Sequence, residues 1–169
     1  MLAQVVRVNT LVVVCGLPGT GKTTVAREIT ERIDARLLRT DVVRKDLFDD
    51  PAYTEAETEA VYAELFDRAT AALADESVVL DATFRTEAFR TGAREAARSV
   101  DAAFRLVSVE CADEVVRERI HARSDDASDA DVAVYEQFRK TYDPVQDADL
   151  VVDNSGELAA TFGQLDTEF

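Results

Sequence analysis

Apolar residues along the chain fall into two alternating rhythms. The continuous run Leu11-Val12-Val13-Val14-Cys15 reads as a strand buried on both faces, Val78-Val79-Leu80 as another buried strand, and Phe104 to Val109 and Leu150-Val151-Val152 as the fourth and fifth strands. Between them the spacing changes. Val25, Ala26, Ile29 and Ile33 recur at helical intervals, with Arg27, Glu28, Glu31 and Arg32 on the outside. Ala35 to Thr40 predicts a short second strand ending at Asp41, and Val42 to Phe48 a turn or two of helix stopped by Asp49-Asp50-Pro51. Thr54-Glu55-Ala56-Glu57 is a capping box that opens a long helix to about Ala74. Further helices are predicted over Glu87 to Val100, from a capping Asp113 through Arg123, and over Val132 to Thr141. Ser124 to Asp131 reads as a polar, acidic turn region, and a last helix carries Leu158, Phe162 and Leu165 on one face. Strand and helix alternate throughout, which predicts a single α/β domain over residues 1–169 with a parallel sheet covered by helices.

The first strand runs straight into Gly16-Leu17-Pro18-Gly19-Thr20-Gly21-Lys22-Thr23, which fits G-x-x-x-x-G-K-[ST], and Thr24 continues into the helix. Strand, glycine-rich loop and helix is the setting in which this pattern binds a polyphosphate. The glycines let backbone N–H groups approach phosphate oxygens, and the helix adds the positive end of its dipole. Lys22 is placed to meet the β- and γ-phosphates, and the Thr23 hydroxyl to ligate Mg²⁺.

Other candidates stand where strands are predicted to end, which is where ligands of open parallel sheets sit. Asp81 closes a hydrophobic strand and is a second metal-binding candidate beside Thr23; its alternative is a turn cap. Ala82 follows it where hydrolytic members of this class often place Glu, which favours transfer to an acceptor over hydrolysis. Asp41 is a candidate general base for an acceptor hydroxyl, and Arg44, one helical turn on, a candidate acceptor contact. The alternative is that Asp41 caps the short helix and Arg44 pairs with it. Arg119 and Arg123 share a helix face beside the acidic stretch, so a lid around residues 117–131 could close over a nucleotide. Arg85 is open to an anionic acceptor, while Arg90, Arg94 and Arg98 read as a solvated helix face.

Composition narrows the partners. The net charge of −15 leaves no basic excess for a long nucleic-acid footprint, although a short local site stays open. Only three of the 19 basic residues are lysines, and acidic surplus with scarce lysine points to a salty cytoplasm, where self-repulsion is screened. The alternative is an ordinary acidic bacterial protein. No leader or membrane span is read, so a cytoplasmic protein is expected, with no membrane partner and a monomer favoured. Cys15 and Cys111, at predicted strand ends and without CxxC spacing, are expected to be buried reduced thiols.

Taken together, GLPGTGKTT, TDVVRKDLF, VVLDATF, the Arg119/Arg123 spacing and VDNSG resemble the small P-loop kinases described as predicted ATP-binding kinases. That group is similar to phage polynucleotide kinases, zeta toxins and gluconate kinase. The resemblance spans nearly the whole chain. It implies a P-loop three-layer sandwich with sheet order 2-3-1-4-5, and transfer of the γ-phosphate of ATP, with Mg²⁺, to a hydroxyl of a small-molecule acceptor. It also implies Asp41 as base, Arg44 as acceptor contact, Lys22 and Thr23 on phosphate and metal, Arg119 and Arg123 as lid, and Asp153 to Gly156, including Asn154, near the adenine. Two other functions stay open: a polynucleotide 5′-hydroxyl kinase, and an ATP-binding switch or ATPase without an acceptor. A GTPase is not supported, because there is no NKxD motif and the third strand is followed by DATF rather than DxxG.

The charge pattern generates its own test. The melting temperature should rise between dilute buffer and molar KCl, because screening over about 3 Å at 1 M removes self-repulsion; a flat response sinks the salt-adapted reading.

Overall fold

In the computed structural model, which describes residues 7–123 and 128–169, the first strand is the centre of everything else. β1 (Thr10–Cys15), β2 (Arg36–Arg39), β3 (Val78–Asp81), β4 (Ala103–Glu110) and β5 (Leu150–Asp153) form one parallel sheet in the order β2-β3-β1-β4-β5. The apolar run of β1 is fully buried from Leu11 to Cys15 because both faces are covered. On one face Leu11, Val13, Leu80 and Leu106 pack with Val61 and Leu65 of α3 (Glu55–Ala72) and Ala93 and Ala97 of α4 (Glu87–Ser99). On the other, Val12, Val14, Val79, Val107 and Val152 meet Val25 and Ile29 of α1 (Lys22–Ile33) and Leu165 near the C-terminus. Each such residue taken fully from water contributes about 1.5–3 kcal/mol, so this three-layer core fixes the strand ends.

Smaller elements depart from the expected pattern in informative ways. β2 stops at Arg39, and α2 (Thr40–Leu47) begins at once. Asp41 therefore lies in the first turn of a helix rather than at a strand end, and Arg39 takes the strand-end place. Glu57 receives only half a capping box: its N–H donates to Thr54 Oγ1 at 3.2 Å. Its carboxylate reaches further back, accepting from the N–H groups of Ala52 at 3.0 Å and Tyr53 at 2.7 Å. Asp113 is the first residue of α5 (Asp113–Arg123) rather than its cap, and accepts from Arg117 and Arg139, each at 2.9 Å. Of the acidic stretch expected to be a turn, residues 124–127 lie outside the described residues. From Ser128 the chain is helical, as α6 spans Ser128–Thr141. In α7 (Leu158–Gly163) Leu158 is exposed, while Thr161 and the following Leu165 face inward. Cys111 is half-buried, unlike the buried Cys15.

Arg90 overturns its expected place on a solvated face. It is buried, donating from Nη1 to the Phe84 carbonyl at 2.8 Å and from Nη2 to the carbonyls of Asp143 and Pro144, each at 3.1 Å. Phe84 itself is held at φ 48, a costly conformation for a bulky residue. Its N–H donates to the Tyr62 hydroxyl at 2.9 Å, so hydrogen bonds on both sides retain it. Arg90 thereby ties the segment after β3 to the segment after α6. Arg94 does sit outside, pairing with Asp147 at 2.7 Å.

Arg90→Ala should lower stability in urea titration by about 3 kcal/mol, because the buried Phe84 carbonyl and two part-buried carbonyls lose a charged donor. Arg94→Ala, at a solvated pair, should stay within about 0.5 kcal/mol.

Candidate nucleotide and acceptor site

The phosphate loop is built by a strand that cannot move and a helix that starts late. Gly19 and Gly21 adopt φ 82 and φ 81, the left-handed region that favours glycine. A Cβ on Gly21 would collide with the Asn154 side-chain amide. α1 begins at Lys22 with no side-chain cap, leaving its first N–H groups to a ligand. Thr20 is buried and closes the turn by donating to the Leu17 carbonyl at 2.8 Å. Leu17, Gly21, Lys22 and Thr23 are half-buried along the loop, and Thr24 is exposed.

Asn154 performs a task that the sequence did not announce. Its Nδ2 donates to the Thr20 carbonyl at 2.8 Å, and its Oδ1 accepts from the Thr161 hydroxyl at 2.8 Å. The amide stitches the loop to the end of β5, while Asp153 is exposed and accepts from the Ser155 N–H at 2.9 Å. The Ser155 hydroxyl first, and that N–H after it, hold the Asp153 carboxyl below the usual carboxylate range. Arg119 joins the same corner, donating to the Asn154 carbonyl at 2.7 Å and to Cys111 Sγ at 3.4 Å. It lies beside the loop, and Arg123, one turn further along α5, is exposed. Val116 and Ile120 of α5 pack with Tyr135 of α6 and Leu17, seating this helix pair on the loop.

The metal candidates do meet. Thr23 Oγ1 donates to Asp81 Oδ2 at 2.7 Å. Asp81 is buried, and its Oδ1 has no hydrogen-bond partner among the described residues. A buried carboxylate oxygen left unpaired beside a hydroxyl suits a hard divalent cation. No group of three or more His, Cys, Asp or Glu that could hold a metal occurs among the described residues, so phosphate and water oxygens would supply most of its shell. Lys22 is half-buried; burial pushes its pKa down, against the attraction of Asp81 and Asp41.

Arg39 was missed by sequence reasoning. The parallel register sets Arg39 directly opposite Asp81. Its Nε donates to Asp81 Oδ2 at 3.0 Å and its Nη2 to Thr23 Oγ1 at 3.4 Å. The same Nη2 lies 3.6 Å from Asp41 Oδ2. No motif marks this arginine; only the pairing of β2 with β3 brings it in.

Asp41 and Arg44 line an open cavity of about 560 Å³ with Lys45, Phe48, Asp49, Pro51 and Tyr53. Asp41 is exposed, and it is not the cap of α2, since the cap position is Arg39. Arg44 does not pair with it. Its Nη2 donates to Thr58 Oγ1 at 3.2 Å, its guanidinium stacks 4.8 Å from the Tyr53 ring centre, and Nη1 lies 3.6 Å from Glu57. That Nη1 is buried without a hydrogen-bond partner among the described residues. A second cavity of about 420 Å³ opens beside the loop at Gly16, Leu17 and Thr20, facing Tyr135 and Arg139. Arg85 is near Phe138 of α6, 5.7 Å from the ring centre.

Comparison with known proteins agrees with this architecture. The gluconokinase of Sinorhizobium meliloti 1021 is 20% identical, with a TM-score of 0.73 over 94% of this chain and 90% of that one. The APS kinase of Mycobacterium tuberculosis, solved with AMPPNP and APS, is 20% identical, with a TM-score of 0.75 over 95% of each chain. Among curated proteins, the uncharacterized protein Rv2004c of Mycobacterium tuberculosis is 35% identical over 135 residues, covering 71% of this chain. The match takes in 27% of that relative, so the chain corresponds to about a quarter of the length of the curated proteins it matches.

Lys22→Ala should weaken ATP binding by more than about tenfold in calorimetry, the scale of losing a charge-assisted contact; unchanged affinity would remove the nucleotide assignment.

The family described as AAA domain, AAA_33, matches residues 11–145, from β1 past α6, and the chain belongs to it, with the five-stranded parallel fold of the P-loop kinases.

Proposed function

We propose that the chain is an ATP-dependent kinase that transfers the γ-phosphate to a hydroxyl of a small-molecule acceptor. The observation that carries this reading is the placement of Asp41. Its carboxylate stands exposed on the rim of the α2 cavity, within 3.6 Å of the arginine that also contacts Asp81 and Thr23. A carboxylate open to solvent beside the phosphate site is suited to take a proton from an entering hydroxyl.

Each residue then has a task. The loop amides and Lys22 hold the phosphates, and Thr23 and Asp81 would hold Mg²⁺. That ion, when bound, neutralises charge on the phosphate oxygens. Arg44, whose Nη1 has no hydrogen-bond partner among the described residues and which has the Tyr53 ring beside it, grips the acceptor. Asp41 accepts the hydroxyl proton as the acceptor oxygen bonds to the γ-phosphorus, and the bond from that phosphorus to the bridging oxygen breaks to release ADP. Arg119 and Arg123 are the lid cations of this reading. The cavity of about 560 Å³ suits a small acceptor, and the charge of −15 opposes a nucleic-acid strand.

Asp41→Asn should leave ATP affinity within about threefold while lowering ADP release in an acceptor screen by roughly 10²-fold, the scale of losing a general base. Asn is nearly isosteric and tolerated in a first helical turn, so a structural role alone would leave turnover near wild type. Full turnover in this variant moves the base elsewhere, and preferential use of a short oligonucleotide by the wild type replaces the small acceptor with a nucleic-acid end.

A further inference from the structure

We infer that Arg39 is the resident counter-ion of the metal carboxylate: it holds Asp81 in the nucleotide-free protein and admits a divalent cation only together with phosphate oxygens. This rests on reading Thr23 and Asp81 as the metal ligands.

The Asp81 side chain is 2% exposed, and a carboxylate so buried needs a compensating charge. Lys22 is near, but the group that touches Asp81 is the Arg39 guanidinium, through Nε at 3.0 Å. It shares the same oxygen, Oδ2, with the Thr23 hydroxyl. The two protein ligands of a metal are thus already bridged by a fixed cation. A bare divalent ion entering here meets a charge of its own sign, and only two protein oxygen donors to set against its lost hydration. An ion carried on a polyphosphate brings its own anionic ligands and overcomes that repulsion. Arg39 also has somewhere to go: its side chain is 28% exposed, and Asp41, 73% exposed, already lies 3.6 Å from Nη2. Releasing Asp81 leaves the guanidinium paired with the base carboxylate rather than stranded. The arrangement keeps Asp81 compensated when the site is bare and prevents unproductive metal binding before nucleotide arrives.

The test is a Mn²⁺ titration of the nucleotide-free protein, read by the paramagnetic resonance of the free ion. Arg39→Gln should bind Mn²⁺ at least about fivefold tighter than wild type, because a neighbouring positive charge has gone. Arg39→Met, which keeps much of the side-chain length, should show the same gain and serves if the Gln variant does not fold. Adding Asp81→Asn to either variant should abolish the gain, showing that it passes through this carboxylate. Arg39→Lys, which keeps the charge, should stay within about twofold of wild type. Equal or weaker Mn²⁺ binding in folded Arg39→Gln or Arg39→Met overturns the proposal, as does a gain in Arg39→Lys equal to theirs. No acceptor or ATP enters the titration. Failure of the kinase reading would instead show in turnover by Asp41→Asn, and the two outcomes are separable.

Discussion

Burying a carboxylate at the end of β3 is the constraint around which this site is arranged. Asp81 is removed from water by the layers that cover the sheet, and water must be replaced by something. The Thr23 hydroxyl and the Arg39 guanidinium supply two contacts to Oδ2 and leave Oδ1 without a hydrogen-bond partner among the described residues. Those contacts join three segments far apart in the sequence: the start of α1, the end of β2 and the end of β3. The loop's chemistry and the sheet's packing meet at this one oxygen.

A second tie acts from the opposite side. Asn154 at the end of β5 holds the Thr20 carbonyl, and Arg119 holds Asn154. The loop therefore hangs between two strand ends, with the left-handed glycines letting it bend between them. A similar economy governs the segments after β3 and α6. Arg90 pins Phe84 to Asp143 and Pro144, and α5 with α6 settles on Leu17. Strand ends hold the phosphate loop, while Asp41 stands exposed in the first turn of α2.

How much was legible in advance depended on how local the signal was. The strands, the glycine loop and the helix after it are written in neighbouring residues, since periodicity and turn chemistry act over a few positions. Residues whose burial is decided across the sheet were not readable. Arg90 sits among exposed arginines in sequence, yet it is buried because three carbonyls from two distant segments converge on it. The acidic stretch looked like a turn, yet the chain is helical from Ser128, since aspartates suit a helix start as well as a loop. Leu158 is exposed because the last helix is short and turns Thr161 and Leu165 inward instead.

By itself the sequence determined the alternation of buried strands and amphipathic helices, the phosphate loop and its lysine, and the candidate pair Asp41 and Arg44. These follow from spacing within a single element, which a chain carries wherever it folds. The tertiary structure alone decided that β2 ends one residue before α2, so that Arg39 rather than Asp41 takes the strand end. It alone decided that Arg44 turns to Thr58 and Tyr53 instead of Asp41. The parallel register of β2 on β3 set Arg39 across from Asp81, a relation between positions 42 residues apart. Such a pairing depends on which strands become neighbours, and packing of the whole sheet, not the local pattern, settles that.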